Sequence, residues 1–179
     1  MALTKIPSEL SSTTGIVDNS NATAITIDSS GRVTMPYQPA FEATVGTAFT
    51  GDGSVAGAET FVFSNARLNV GSHYNATTGV FTAPIDGVYH FSYYLSPSSS
   101  SQDARYFRAE LVVNSAVVFA PHNTISDETQ NADYNCVTGG GNILLSANDT
   151  VYIRFGSSLA TNNYLFYAAM NSFSGFLIG

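Results

Sequence analysis

The chain is short of charge. Only 11% of its 179 residues are Asp, Glu, Lys or Arg, against about 25% in an ordinary soluble domain. Thirteen are acidic and six basic, Lys5 is the sole lysine, and the formal net charge is −7. Nucleic acids and anionic membranes are held by basic patches that displace counterions, so neither is an expected partner. The single cysteine, Cys136, excludes an intrachain disulfide. With no CxxC around it, it is expected as a small core or strand residue rather than a reactive thiol. No apolar run reaches the roughly 18 residues a membrane-crossing helix needs, so no membrane insertion is expected. The opening MALTKIPSEL lacks an apolar stretch of about 7–15 residues, so no secretory signal is expected there. Apolar i, i+3, i+4, i+7 spacing is missing, which argues against helices. There is also no Gly-X-Y repeat of the collagen kind.

What is present is the material of strands. Hydrophobic residues make up 44% of the chain, enough for a real core. Aromatic and β-branched residues alternate with polar ones, most plainly in Val88-Tyr89-His90-Phe91-Ser92-Tyr93-Tyr94-Leu95. That alternation puts Tyr89, Phe91, Tyr93 and Leu95 on one face, with His90 and Ser92 on the other. Phe107–Phe119, Asn142–Leu145, Val151–Phe155, Tyr164–Ala168 and Phe173–Ile178 read as further strands. Turns are expected at 75–79, at Pro97 with Ser98–Ser101, at 147–149 and at Asn162-Asn163. Many short strands without intervening helices predict an all-β antiparallel sandwich or barrel. The first 38 residues differ. Residues 1–23 read as an extended arm, followed by a hairpin in which 24–27 and 32–35 flank the turn Asp28-Ser29-Ser30-Gly31. An isolated two-stranded hairpin is marginal in water, so this one needs a neighbour.

Between residues 63 and 91 a ladder of side chains carries a family resemblance. The order is Phe63, five residues, Asn69, four residues, Tyr74, six residues, Phe81, five residues, then Gly87-x-Tyr89-x-Phe91. This pattern resembles the signature of C1q-like domains, and GVFTAPIDGVYHFSYYL is similar to that family's core line. LSANDTVYIRF, FSGFLIG and PAFEATVG resemble its penultimate, closing and opening strands. The resemblance implies a C1q/TNF-like jelly-roll β-sandwich over 39–179, preceded by the arm and hairpin of 1–38. It also implies a homotrimer. The signature residues are read as structural: Tyr89, Phe91, Phe81 and the pair Phe173 and Phe176 are expected to fill the core, and Gly87 to relieve the turn after Pro84-Ile85-Asp86. Residues 1–38 resemble the short leader and hairpin of bacteriophage fibre, tail and appendage proteins.

Catalytic chemistry finds no footing. His73, His90 and His122 lie apart, without a metal-ligand partner at i+2 to i+4. No GxSxG, P-loop or HExxH occurs, so no enzyme is expected. Gly139-Gly140-Gly141 lacks a following helix and Lys-Ser/Thr, and reads as a loop or bulge; Gly51-Asp52-Gly53-Ser54 reads as a loop. No cofactor is expected, save that Asp127 and Asp133, with Glu128 in the same polar loop, are weak candidates for calcium near the apex of a trimer. Asn21, Asn75 and Asn148 head N-x-Thr triplets, which would be glycosylated only in a secreted eukaryotic product.

The expected function is therefore that of a structural virion protein, a trimeric tail-fibre or appendage component on the particle surface. Residues 1–38 would anchor it to another virion protein. The head would expose loops 96–106, 121–135 and 157–163 to a host glycan or receptor, gaining strength by multivalency. The alternatives are a capsid-decorating or tail-reinforcing trimer with no receptor role, and a secreted C1q-like ligand.

Overall fold

The computed structural model describes residues 15–17, 23–52, 60–99, 106–124, 136–157 and 163–179. Every strand pairing among them is antiparallel, and none of them is helical. The chain divides into two compact units, Met1–Gln38 and Pro39–Gly179.

In the first unit β1 (Gly15–Val17), β2 (Thr23–Ile27) and β3 (Val33–Thr34) form a sheet in that order. The turn between β2 and β3 is closed by Asp28, whose carboxylate accepts from the Ser30 and Arg32 amides at 2.8 and 2.9 Å. Gly31 supplies the positive φ of +78° that the turn requires. The Arg32 amide bond, then the Arg32 side chain, hold the Asp28 carboxyl below its usual range. Within the stretch read as a patternless arm, Gly15–Val17 is a strand, with Ile16 in register with Ile25.

The second unit is a sandwich. One sheet runs β14 (Val137–Leu145), β9 (Gly87–Leu95), β17 (Ser172–Leu177), β4 (Ala40–Thr44) and β6 (Asn65–Val70). The facing sheet runs β12 (Ala116–Phe119), β11 (Tyr106–Val113), β15 (Thr150–Ser157), β8 (Val80–Thr82) and β7 (Tyr74–Asn75), with β13 (His122–Thr124) also on β11. A smaller sheet joins β10 (Pro97–Ser99), β16 (Asn163–Phe166) and β5 (Phe49–Asp52). Strand β9 alternates as its sequence demands, with Tyr89, Phe91, Tyr93 and Leu95 buried.

Aromatic rings fill the space between the two large sheets. Phe41 stacks on Tyr74 at 4.7 Å and meets Phe173 edge-on at 4.9 Å. Phe81 lies edge-on to Tyr89 and Phe91 at 5.6 and 5.5 Å. Offset and edge-on pairs of this kind add about 0.5–1.5 kcal/mol each beyond the area they bury.

Several local expectations are corrected. Phe173 is buried, but Phe176 is 48% exposed. Three residues apart in a strand, they must point to opposite faces. Gly139, Gly140 and Gly141 are no loop; they sit inside β14, opposite Tyr93, Ser92 and Phe91. A Cβ on Gly140 would collide with the Phe91 carbonyl oxygen, and one on Gly139 would meet the Tyr93 hydroxyl and the Phe119 ring. Gly87 opens β9, and a Cβ there would come within 2.7 Å of Leu177 Cδ1, so its absence makes room for Leu177 rather than for a turn. The segment 107–119 is two strands, β11 and β12, around a turn at Asn114 and Ser115, both at positive φ. Pro97–Ser99 and Gly51-Asp52 are strand rather than turn or loop. Cys136 is exposed, just ahead of β14, and not in the core.

Candidate assembly face and ligand cleft

The signature residues form a chain of restraints. Asn69, on β6, accepts from the Tyr74 amide at 3.1 Å and donates to the Tyr74 carbonyl at 2.8 Å. Its amide thereby fixes the backbone of Tyr74, whose hydroxyl donates to the Phe63 carbonyl at 3.1 Å. Phe63 is fully buried against Phe61 and Phe173. Tyr93 likewise ties the two sheets, its hydroxyl donating to the Ala109 carbonyl at 3.1 Å. Burial pushes the Tyr74 hydroxyl far above the usual phenol range. Burial, with the Glu110 charge behind it, does the same to Tyr93. These residues hold the sandwich together and leave nothing to touch a ligand.

The outer faces of the two sheets differ in chemistry. On the six-stranded sheet Glu110 is 5% exposed and saturated by arginine. Arg154 approaches one carboxylate oxygen at 2.7 and 2.9 Å, and Arg108 the other at 2.9 Å. The sequence hides this cluster, because its members lie 44 residues apart. On the five-stranded sheet the outward side chains include His90, Tyr94, Phe176 and Leu68, the last three exposed. His90 Nδ1 lies 2.8 Å from Asn142 Oδ1, and its ring packs on Phe176 at 5.4 Å. The described charges on this face are Glu42 and Arg67, paired at 3.5 Å.

A second apolar patch lies along one edge. Strands β12 and β14 are the edge strands of their sheets. Val117, Val118 and Phe119 on β12 are exposed, as is Leu144 on β14, at 77%. An edge this apolar is an aggregation hazard unless something covers it.

At the far edge of the six-stranded sheet, around β7 and β8, lies an open cleft of about 640 Å³. Ser72, His73, Thr78, Thr82 and Asn148 supply its polar wall, and among the described residues no Asp, Glu, Lys or Arg lines it. The backbone around it is already satisfied: the Thr82 amide donates to the His73 carbonyl at 2.9 Å, and the Asn148 amide to the Ala83 carbonyl at 2.7 Å. Asn75 Oδ1 accepts from the Thr77 and Thr78 amides. Gly71, at φ +75°, leaves the space that the His73 ring occupies. The wall is therefore a set of hydroxyl, amide and imidazole groups.

Asp127, Glu128 and Asp133, the calcium candidates, lie outside the described residues, as do 100–105, 125–135 and 158–162 in the suspected loops. Among the described residues no three His, Cys, Asp or Glu side chains gather as a metal site. His73 and His90 belong to different features, one at the cleft and one on the sheet face. Asn75 ends β7, its side chain accepting from the turn that follows, and Asn148 sits in a turn at φ +73°.

Two antiparallel sheets closed over an aromatic core, with no helix among the described residues, define a jelly-roll sandwich of the C1q/TNF class. Residues 40–178 match the C1q domain, and the chain belongs to that family. It is 28% identical over 116 residues to complement C1q tumor necrosis factor-related protein 5 of Rattus norvegicus, covering 65% of this chain and 44% of that protein. It is 24% identical over 141 residues to the related protein 3 of Mus musculus, covering 79% of this chain and 51% of that one. The chain thus spans about half the length of these curated relatives. The globular domain of zebrafish complement 1qA superposes with a TM-score of 0.56 at 20% identity, covering 79% of this chain and 98% of that one. Eiger TNF of S. frugiperda gives 0.61 at 13% identity, covering 79% and 93%. Both likenesses are of fold.

Proposed function

We propose that the chain is a non-catalytic binding protein that assembles as a homotrimer through its C1q-like unit and presents the cleft in three copies, as the head of a ligand-type C1q protein outside the cell. The observation that carries the assembly is the pair of apolar patches. A closed ring of three joins two different surfaces, one from each neighbour, and this unit has a face (Phe176, His90, Tyr94) and an edge (Val118, Phe119, Leu144) to join. Members of the C1q/TNF superfamily form homotrimers. The described charges on the two patches are limited to the paired Glu42 and Arg67 of the face, which suits burial, because a desolvated charge costs several kcal/mol unless paired.

The cleft lies at the edge away from β12, so this assembly leaves it open to solvent. Hydroxyl, amide and imidazole groups suit a polyhydroxylated ligand. Three weak sites on one rigid head gain affinity by avidity, commonly about 10²-fold or more for a multivalent target. The test is binding of the purified trimer to arrayed glycans, beside His73→Ala. Signal lost in His73→Ala at unchanged trimer mass supports the reading; equal signal from both proteins, or none from either, rejects the cleft.

A second reading, the head of a virion appendage or capsid-decorating trimer, is favoured by one observation. Residues 1–38 are a compact unit of their own, as an attachment module would be. Electron microscopy of intact particles with a labelled chain tests it: label on particles supports the reading, and unlabelled particles reject it.

A further inference from the structure

The small N-terminal sheet has two unlike faces. Ile27 and Val33 are in register across β2 and β3 and share one face, which alternation extends to Ile25 and Met35. Thr26 and Thr34 pair on the other face. Ile27 is 46% exposed, Val33 59% and Met35 52%. The described part of this unit is a single layer of three short strands, with no second layer to take up the apolar face. Such a sheet needs a cover to be stable. The described charges near it, Asp28 and Arg32, neutralise each other within the turn at 2.6 Å. Among the described residues no unpaired charge on that face opposes bringing copies of it together.

We infer that the apolar faces of three N-terminal sheets pack on one another, forming a second threefold interface made of Ile25, Ile27, Val33 and Met35. The inference rests on the trimer proposed above. Each sheet is joined directly to the sandwich unit at Gln38 and Pro39, so a trimer of sandwiches holds three sheets at an effective concentration of about millimolar. Weak apolar packing, too feeble to join free sheets, is sufficient there. The threonine face then stays outward, free for whatever the chain is attached to.

The test uses the full chain with Cys136→Ser. Val33→Cys places a thiol on the apolar face, and Thr34→Cys on the opposite one. Light scattering is read first, then disulfide formation under mild oxidant. The expected result is a trimer in both, with rapid cross-linking of Val33→Cys and at least about tenfold slower cross-linking of Thr34→Cys. As a second measurement, trypsin is expected to cleave after Arg32 about tenfold faster in Val33→Asp than in Thr34→Asp, because losing the packed face opens the sheet. A trimer in which the two cysteine variants cross-link alike and the two aspartate variants are cleaved alike overturns this inference alone. A monomeric chain overturns the trimer as well.

Discussion

At the scale of single residues, the signature is a set of side chains bonded to backbone. Asn69 fixes the amide and carbonyl of Tyr74, and the Tyr74 hydroxyl takes up the Phe63 carbonyl. Removing that hydroxyl strands a buried acceptor, so Tyr74→Phe is expected to lose about 1–3 kcal/mol in urea unfolding. The same residue governs alkaline stability. Burial raises the Tyr74 and Tyr93 hydroxyls above the ordinary value of 10.0. The unfolded chain releases these protons near pH 10 while the fold retains them. Their contribution is complete below pH 10 and is lost as pH rises from there toward the raised folded values. Melting temperature should thus fall steeply above about pH 10, and less steeply in Tyr74→Phe. An unchanged alkaline slope would show that Tyr74 is not the titrating group.

At the scale of strands, the glycine run in β14 shows what a sequence reveals and what it hides. Alternation alone placed Tyr89, Phe91, Tyr93 and Leu95 on one face, because a shared face follows directly from a period of two, and that face is the core. Gly139-Gly140-Gly141 has no side chains to alternate, and nothing local records that Phe91 and Tyr93 of another strand fill the space. Gly140→Ala is therefore expected to cost about 1–3 kcal/mol by forcing β14 off β9. Gly141→Ala, whose Cβ would meet nothing within 4 Å, is expected to be close to neutral by the same unfolding measurement. Phe176 was misplaced for a related reason: its aromatic character suggested the core, while its parity with Phe173 put it outside. Phe173→Ala should cost about 3–5 kcal/mol. The Arg108–Glu110–Arg154 cluster was not legible, because Arg154 stands 44 residues from Glu110; the cleft is lined mostly by residues within 72–84, joined by Asn148, but no motif marks it. The calcium candidates Asp127 and Asp133 fall outside the described residues.

At the scale of the molecule, the account turns on why a chain of such low charge leaves Phe176, Val118 and Leu144 in water. In the trimer we propose they are not left there: the face of one sandwich meets the edge of the next, three times around. The most direct measurement is the mass of the purified chain by light scattering, beside Phe176→Asp on the face and Val118→Asp on the edge. The account predicts about 57 kDa for the wild type, three chains of 18.9 kDa, and a fall toward the single-chain mass in each variant while the far-ultraviolet spectrum stays that of a β-sandwich. A wild type at 18.9 kDa, or variants that keep the full trimer mass, would contradict it.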